Sequence, residues 1–289
     1  METLNFLRER HNLVSIRCNR LSSCAIHANS YPSMNALIRQ KRIISALVLR
    51  EMVTRFGREG LGFVWVIGEP LLFCFGVMLL WSLIKTPYEH GIRLAPFVMT
   101  GYMALLLFRH QISFAMGALQ SNIGLLYHRQ IRILHFFVAR GLLEFLGATA
   151  AFVVVYVILI SMGEVSPPRD WLLIIGGWLL LGWMGFGLAL VFAALALRFE
   201  LMERLVPVLT YALIPFSGAF AMAAWLPEPY RSLYIMVPLP HGVEMVRAGV
   251  FGEFVPTYYD PLYAFGWGAI FMICGLLLLA GAKDRALAE

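Results

Sequence analysis

Charge is scarce in this chain. Only 14% of its 289 residues are Asp, Glu, Lys or Arg, 60% are hydrophobic, and the mean hydropathy is +0.75. A soluble domain carries about 25% charged residues. With this composition it would expose apolar surface on a scale soluble monomers do not tolerate. Disorder requires the opposite balance. No G-x-x-x-x-G-K-[ST] phosphate loop occurs, nor H-E-x-x-H, nor G-x-S-x-G. The chain therefore does not hydrolyse ATP by that route, and it carries no metalloprotease or nucleophile-elbow signature. Cysteine is sparse. Cys18 and Cys24 lie in the N-terminal tail and Cys74 and Cys274 in apolar runs, none with metal-ligand spacing, so they read as four free thiols. Residues 1–33 hold Arg8, Arg10, Arg17 and Arg20 but no apolar core segment. That excludes a secretory signal peptide. This stretch is expected to be a poorly ordered extension, or to lie upstream of the true start, with Met34 opening a more ordinary membrane-protein N-terminus.

What is present is a series of apolar runs, each near the 20 residues or so needed to cross a hydrocarbon core. Six are expected to span: 62–84, 95–117, 139–162, 171–195, 206–224 and 262–282. An even number puts both termini on one side. With that side cytoplasmic, 17 of the 23 Lys and Arg fall inside and five outside, and Arg109 falls within a span. This is the positive-inside bias, and it accounts for the net charge of +6 without nucleic acid as a partner.

The connecting segments differ in character. Residues 43–58 place Ile44, Leu47, Val48, Met52 and Phe56 on one helical face, with Arg50, Arg55 and Arg58 mainly off it. That pattern predicts an amphipathic helix in the inner interface. The Glu69-Pro70 pair predicts a kink or restart in the first span. Residues 225–260 alternate short apolar stretches with proline and glycine. They are too short to span and too apolar for a solvated loop, which predicts re-entrant half-helices. Gly185, Ala189 and Ala193 follow four-residue spacing and suit close helix packing, either within the chain or at a dimer seam. Arg140 and Glu144 read as a surface ion pair. The fold class is thus all-α integral membrane: six transmembrane helices, an interfacial amphipathic helix within a cytoplasmic segment 34–60, and re-entrant half-helices before the last span of a 61–285 transmembrane domain.

Tyr102, Arg109, Ser113 and Gln120 share one face of the second span. Arg109 lies 14 residues beyond residue 95, about 21 Å down a helix rising 1.5 Å per residue. A buried arginine there costs at least ~2.5 kcal/mol, so it should meet a partner or a wet cavity. Snorkelling to the inner headgroups is the other reading. Arg231, His241 and Arg247 stand in the segment before the last span, where they attract an anionic polymer or anchor half-helices. With no catalytic cluster in the spans, the pattern points to transport. A membrane-embedded transferase acting on lipid-linked sugars is the competing class.

The run LREMVTRFGREGLGFVWVIGEPLLF (49–73) carries Leu61, Gly62, Trp65, Pro70, Leu71 and Leu72. It resembles the entry to span one in membrane subunits of type-2 ABC exporters for bacterial polysaccharides. SNIGLLYHRQIRILHFFVAR (121–140) and LPHGVEMVRAGVFG (239–252) resemble two further segments of that family, in the same order. The Glu69-Pro70 pair and the LLYHRQ run are most similar to its capsular-polysaccharide branch. The resemblance covers roughly 40–285. It implies a permease half-transporter of the bacterial inner membrane that works as two copies above two copies of a separate ATPase. That ATPase would bind ATP and magnesium, with no cofactor in this chain. The implied substrate is a lipid-linked polysaccharide, handed to a periplasmic adaptor and an outer-membrane channel. O-antigen, teichoic-acid and small-molecule exporters are the alternatives within transport. The same resemblance favours Tyr127, His128, Arg129, Gln130 and Arg132 as the ATPase-coupling contact, against an ordinary basic loop.

Overall fold

In a computed structural model the described residues are 32–56, 61–86, 88–89, 91–118, 122, 124, 131–252 and 255–286. All but the last two residues of the expected extension fall outside them. So do Gln120 and the coupling candidates Tyr127, His128, Arg129 and Gln130. The chain divides between Ser45 and Ala46 into two compact units. The described part of the first is the opening of one helix, and everything that follows concerns the second.

The elements are α1 (Pro32–Phe56), α2 (Leu61–Ile84), a minimal hairpin of β1 (Tyr88–Glu89) and β2 (Ile92–Arg93), α3 (Leu94–Met116), α4 (Ile133–Ser161), α5 (Trp171–Ala196), α6 (Glu200–Ala212), a 3-10 turn (Ala223–Trp225), α7 (Tyr230–Ile235), α8 (Leu239–Phe251) and α9 (Pro261–Ala286). The chain is mostly helical, as its apolar runs predict. The hairpin pairs Tyr88 with Arg93 and Glu89 with Ile92, and Gly91 supplies the turn's positive φ of 81°. Asp170 caps α5 by accepting from the N–H groups of Leu172 (2.8 Å) and Leu173 (3.3 Å). Asp260 caps α9 in the same way, through Leu262 (2.9 Å) and Tyr263 (3.1 Å). Each cap satisfies helix N–H groups that have no partner within the helix.

Helix α5 is the hub, packed against α9, α8 and α3. Its glycines set the spacing. A Cβ on Gly177 would stand 2.9 Å from the Gly242 carbonyl of α8, and one on Gly187 would stand 3.0 Å from the Gly268 carbonyl of α9. A Cβ on Gly185 would stand 3.3 Å from Phe108 and 3.0 Å from Gln111 of α3. Ala189 and Ala193 are each 2% exposed. The Gly185–Ala189–Ala193 stripe therefore serves packing inside the chain, where small residues let backbones approach. The opposite sides of α4 and α5 keep Leu142, Leu146, Val153, Leu172, Ile175 and Leu179 exposed. That apolar surface suits acyl chains rather than water.

Among the described residues, four helices are long and apolar enough to cross a membrane: Ile67–Ile84, Ile133–Ser161, Trp171–Ala196 and Pro261–Ala280. α3 has the length but carries Arg109, His110 and Gln111 near its end. The run expected to span over 206–224 is helical only to Ala212 and then turns. Pro215 is the physical reason, since the residue before a proline is pushed out of the α region. α2 continues through Pro70 rather than restarting at it. Within 225–260 the apolar stretches become α7 and α8, the latter almost wholly buried.

Candidate functional site

Three polar groups stand out in an otherwise apolar body. The first lies on α3. The guanidinium carbon of Arg109 sits 4.3 Å from the centre of the Tyr211 ring on α6. Its Nε is buried without a hydrogen-bond partner. Tyr102 is half-buried and lies near both Arg109 and Tyr211, and Ser113 is exposed. The structure thus brings Tyr102 and Arg109 together and adds Tyr211 from another helix, a partner that spacing along α3 does not reveal. Tyrosine beneath a cation supplies quadrupole attraction where water is scarce.

The second group closes the break after α6. Arg247 of α8 is 0% exposed. Its guanidinium donates to the carbonyls of Gly218 (2.7 Å), Ala219 (2.8 Å) and Ala221 (3.0 Å) and lies over the Phe97 ring at 4.3 Å. Where the chain leaves its helix in an apolar setting, those carbonyls need a donor. Arg247 supplies three donations from one side chain. Glu244, also 0% exposed, lies 3.8 Å from Arg247. Its carboxylate accepts from the backbone N–H groups of Ala223 (3.2 Å) and Tyr258 (3.4 Å). Tyr234 donates to the Ala221 carbonyl at 3.4 Å. Gly101 of α3 leaves the space for this loop, since a Cβ there would collide with the Ala219 carbonyl and with Arg247.

His241 is likewise buried. The Asp260 N–H donates to its Nδ1 (2.8 Å), so its Nε2 carries the proton and donates to the Ile235 carbonyl (2.7 Å). Arg231 donates to the Ala223 carbonyl (3.1 Å) and lies 4.9 Å over the Tyr258 ring. These contacts tie Arg231, His241 and Arg247 to the backbone around them. Arg247 presents no surface to a polymer, and Arg231 is only partly covered.

The third group joins α1 to α4. Arg140 forms an ion pair with the Glu51 carboxylate of α1. The other Glu51 oxygen accepts from Asn122 Nδ2 at 2.6 Å. Arg140 therefore takes part in a buried arrangement rather than the surface pair expected with Glu144. Glu144 is buried too and lies 3.9 Å from His110. A sequence signal for Glu51 exists, since it falls one i+4 step after Leu47 on the apolar face of the amphipathic helix. Leu47 and Glu51 are both 5% exposed. Arg132, the one described member of the expected coupling set, is exposed and opens α4, its N–H donating to His135 Nδ1 at 3.1 Å.

The polar groups thus reinforce a helical membrane body, and among the described residues no cluster of His, Cys, Asp and Glu could hold a metal. Residues 42–251 match the ABC-2 type transporter family, and the chain belongs to that membrane family. It is similar to the capsule polysaccharide export inner-membrane protein CtrC of Neisseria meningitidis serogroup B, at 36% identity over 89% of this chain and 96% of the relative. BexB of Haemophilus influenzae, with the same description, is 36% identical over 76% of this chain and 83% of the relative. The polysialic acid transport protein KpsM of Escherichia coli is 28% identical over 83% and 91%.

Proposed function

We propose that this chain is the permease subunit of an ATP-driven exporter that moves capsular or related lipid-linked polysaccharide from cytoplasm to periplasm across a bacterial inner membrane. The observation that carries the reading is the near full-length similarity to relatives described as capsule polysaccharide export inner-membrane proteins. The sequence holds no phosphate loop. ATP and magnesium therefore belong to a separate ATPase, present as two copies beneath two copies of this chain.

In this reading the membrane is crossed six times, with both termini cytoplasmic. α3, and α6 with the turns after it, complete the count begun by the four apolar helices. α7 and α8 have 6 and 13 residues, about 9 and 20 Å at 1.5 Å per residue, short of a ~30 Å core. They enter from the periplasmic side as re-entrant half-helices. Tyr102, Arg109 and Ser113 line the polymer path, with Arg231 at its outer end and His241 and Arg247 holding the wall behind it. Tyr127, His128, Arg129, Gln130 and Arg132 dock on the ATPase. A periplasmic adaptor and an outer-membrane channel receive the polymer.

The test is deletion and complementation. Cells lacking the gene should accumulate polysaccharide internally and lose it from the surface, and the wild-type gene should restore it. The tagged protein should bring down a nucleotide-binding subunit. Normal surface polysaccharide in the deletion strain overturns the reading.

A further inference from the structure

The two carboxylate oxygens of Glu51 in the third polar group point at different elements. One meets Arg140 on α4, and the other accepts from Asn122 in the loop after α3. Asn122 is itself held, since Nδ2 also donates to the Ala118 carbonyl at 2.9 Å, just past the end of α3. Glu51 is 5% and Asn122 3% exposed, and the guanidinium of Arg140 lies 5.6 Å over the Phe114 ring of α3. One carboxylate therefore ties three elements together away from water.

The position of this knot along the chain gives it a use. Asn122 precedes the proposed ATPase-docking residues 127–132, and Arg140 follows them two helical turns into α4. A displacement of the docking segment that pulls on Asn122 either breaks its tie to Glu51 or carries α1 and α4 with it. Breaking that tie leaves a buried carboxylate oxygen of Glu51 without its donor, which is unfavourable. Movement as one body is the outcome this chemistry favours.

The geometry points to Glu51, Asn122 and Arg140 as the transmission joint of the exporter. They are positioning residues through which movement of the docking segment reaches α1 and α4. The inference rests on the docking role proposed for residues 127–132. It predicts a separation between two events, ATPase binding and productive use of ATP, that a purely structural knot would not produce.

The test uses the assembled complex of permease and ATPase. Asn122→Ala removes the loop's tie but leaves the Glu51–Arg140 pair. It should copurify with the ATPase at wild-type stoichiometry and continue to hydrolyse ATP, with a small loss of melting temperature from the donor removed at Glu51. Surface polysaccharide per ATP hydrolysed should fall by about fivefold or more, the size of an ordinary coupling effect. Glu51→Gln keeps the shape and the acceptor for Asn122 while removing the charge opposite Arg140, and should show the same fall in export per ATP together with a lowered melting temperature. If Glu51→Gln does not accumulate, Asn122→Ala decides alone. Unchanged export per ATP in Asn122→Ala overturns the joint, and so does loss of ATPase binding, which would make Asn122 part of the docking surface. A separate triple variant, Tyr127→Ala with Arg129→Ala and Arg132→Ala, tests the docking reading by itself, through ATPase binding. Its failure leaves the Asn122 result readable.

Discussion

The guanidinium of Arg109 on α3 stacks over the ring of Tyr211 on α6, 4.3 Å from its centre, and its Nε has no hydrogen-bond partner. The pair joins two helices of a membrane protein through a contact that holds the cation without neutralising it. A carboxylate partner would have cancelled the charge, whereas the aromatic face leaves it available to an anion. Sugar acids and phosphate anchors are anions of the class this exporter is proposed to carry.

Arg109→Ala should therefore accumulate in the membrane and assemble with the ATPase, yet export about tenfold less polymer, the scale of a desolvated cation–π contact of roughly 2 kcal/mol or less. Arg109→Lys should keep part of the export, and Tyr211→Ala should lower it in the same direction. Surface polysaccharide normalised to permease content is the measurement. Normal export by Arg109→Ala would reduce the residue to an anchor, and failure to accumulate would make it structural.

Arg247 should behave differently, because its donors are consumed by the protein. Arg247→Met leaves the carbonyls of Gly218 and Ala219 without this donor, Ala221 with Tyr234 alone, and Glu244 without its cation. Removing one partner of a buried pair costs about 3–5 kcal/mol. Thermal unfolding in detergent should show a large loss, or the variant should fail to accumulate at all. A variant as stable as wild type would mean that the loop finds its donors elsewhere.

The sequence made some of this legible and concealed the rest for physical reasons. The runs expected at 62–84, 171–195 and 262–282 became Leu61–Ile84, Trp171–Ala196 and Pro261–Ala286. Long uniform apolar stretches bounded by Asp170 or by Asp260-Pro261 leave the chain few alternatives. The run at 139–162 begins six residues earlier than expected, at Ile133, because its first turns mix His135 with aromatics and read as loop. The run at 206–224 is helical only to Ala212 and gives way to turns before Pro215, where apolarity continues but the helix does not. The Glu51–Arg140 pair spans 89 positions. No local period contains it, and i,i+4 spacing favoured Glu144 instead. The sequence left Arg247 open between a polymer contact and an anchor, because the carbonyls that hold it are backbone, and backbone is invisible to residue patterns.

Glycine offers a controlled comparison. A Cβ on Gly101 would meet the Ala219 carbonyl and stand 2.7 Å from the Arg247 guanidinium, whereas one on Gly76 of α2 meets nothing within 4 Å. Gly101→Ala should destabilise by about 1–3 kcal/mol, as overpacking does. Gly76→Ala should be neutral or mildly stabilising, by up to roughly 1 kcal/mol of helix propensity. Melting curves of the two purified variants check this. Equal midpoints would show that the α3–loop contact is looser than described.

Residues 230–250 separate a re-entrant fold from a plain periplasmic loop by cysteine accessibility. Cys18, Cys24, Cys74 and Cys274 would first be replaced by serine. Cys74 is buried and Cys274 exposed on an apolar helix, so the replacement at Cys74 needs a stability check. Single cysteines then go to Ser232, Leu233 and Met236, which are exposed on or just after α7, and to Val243 and Val246, which are buried on α8. An impermeant maleimide added to intact spheroplasts should label the first three and spare the last two. The reason is packing, since Gly177 of α5 seats Val246 and Gly242 at van der Waals range and no reagent fits between them. Uniform labelling across all five would show a solvated loop and end the half-helix reading. Labelling of the first three only after the membrane is opened would place the segment on the cytoplasmic side, reversing the orientation drawn from the arginine and lysine distribution.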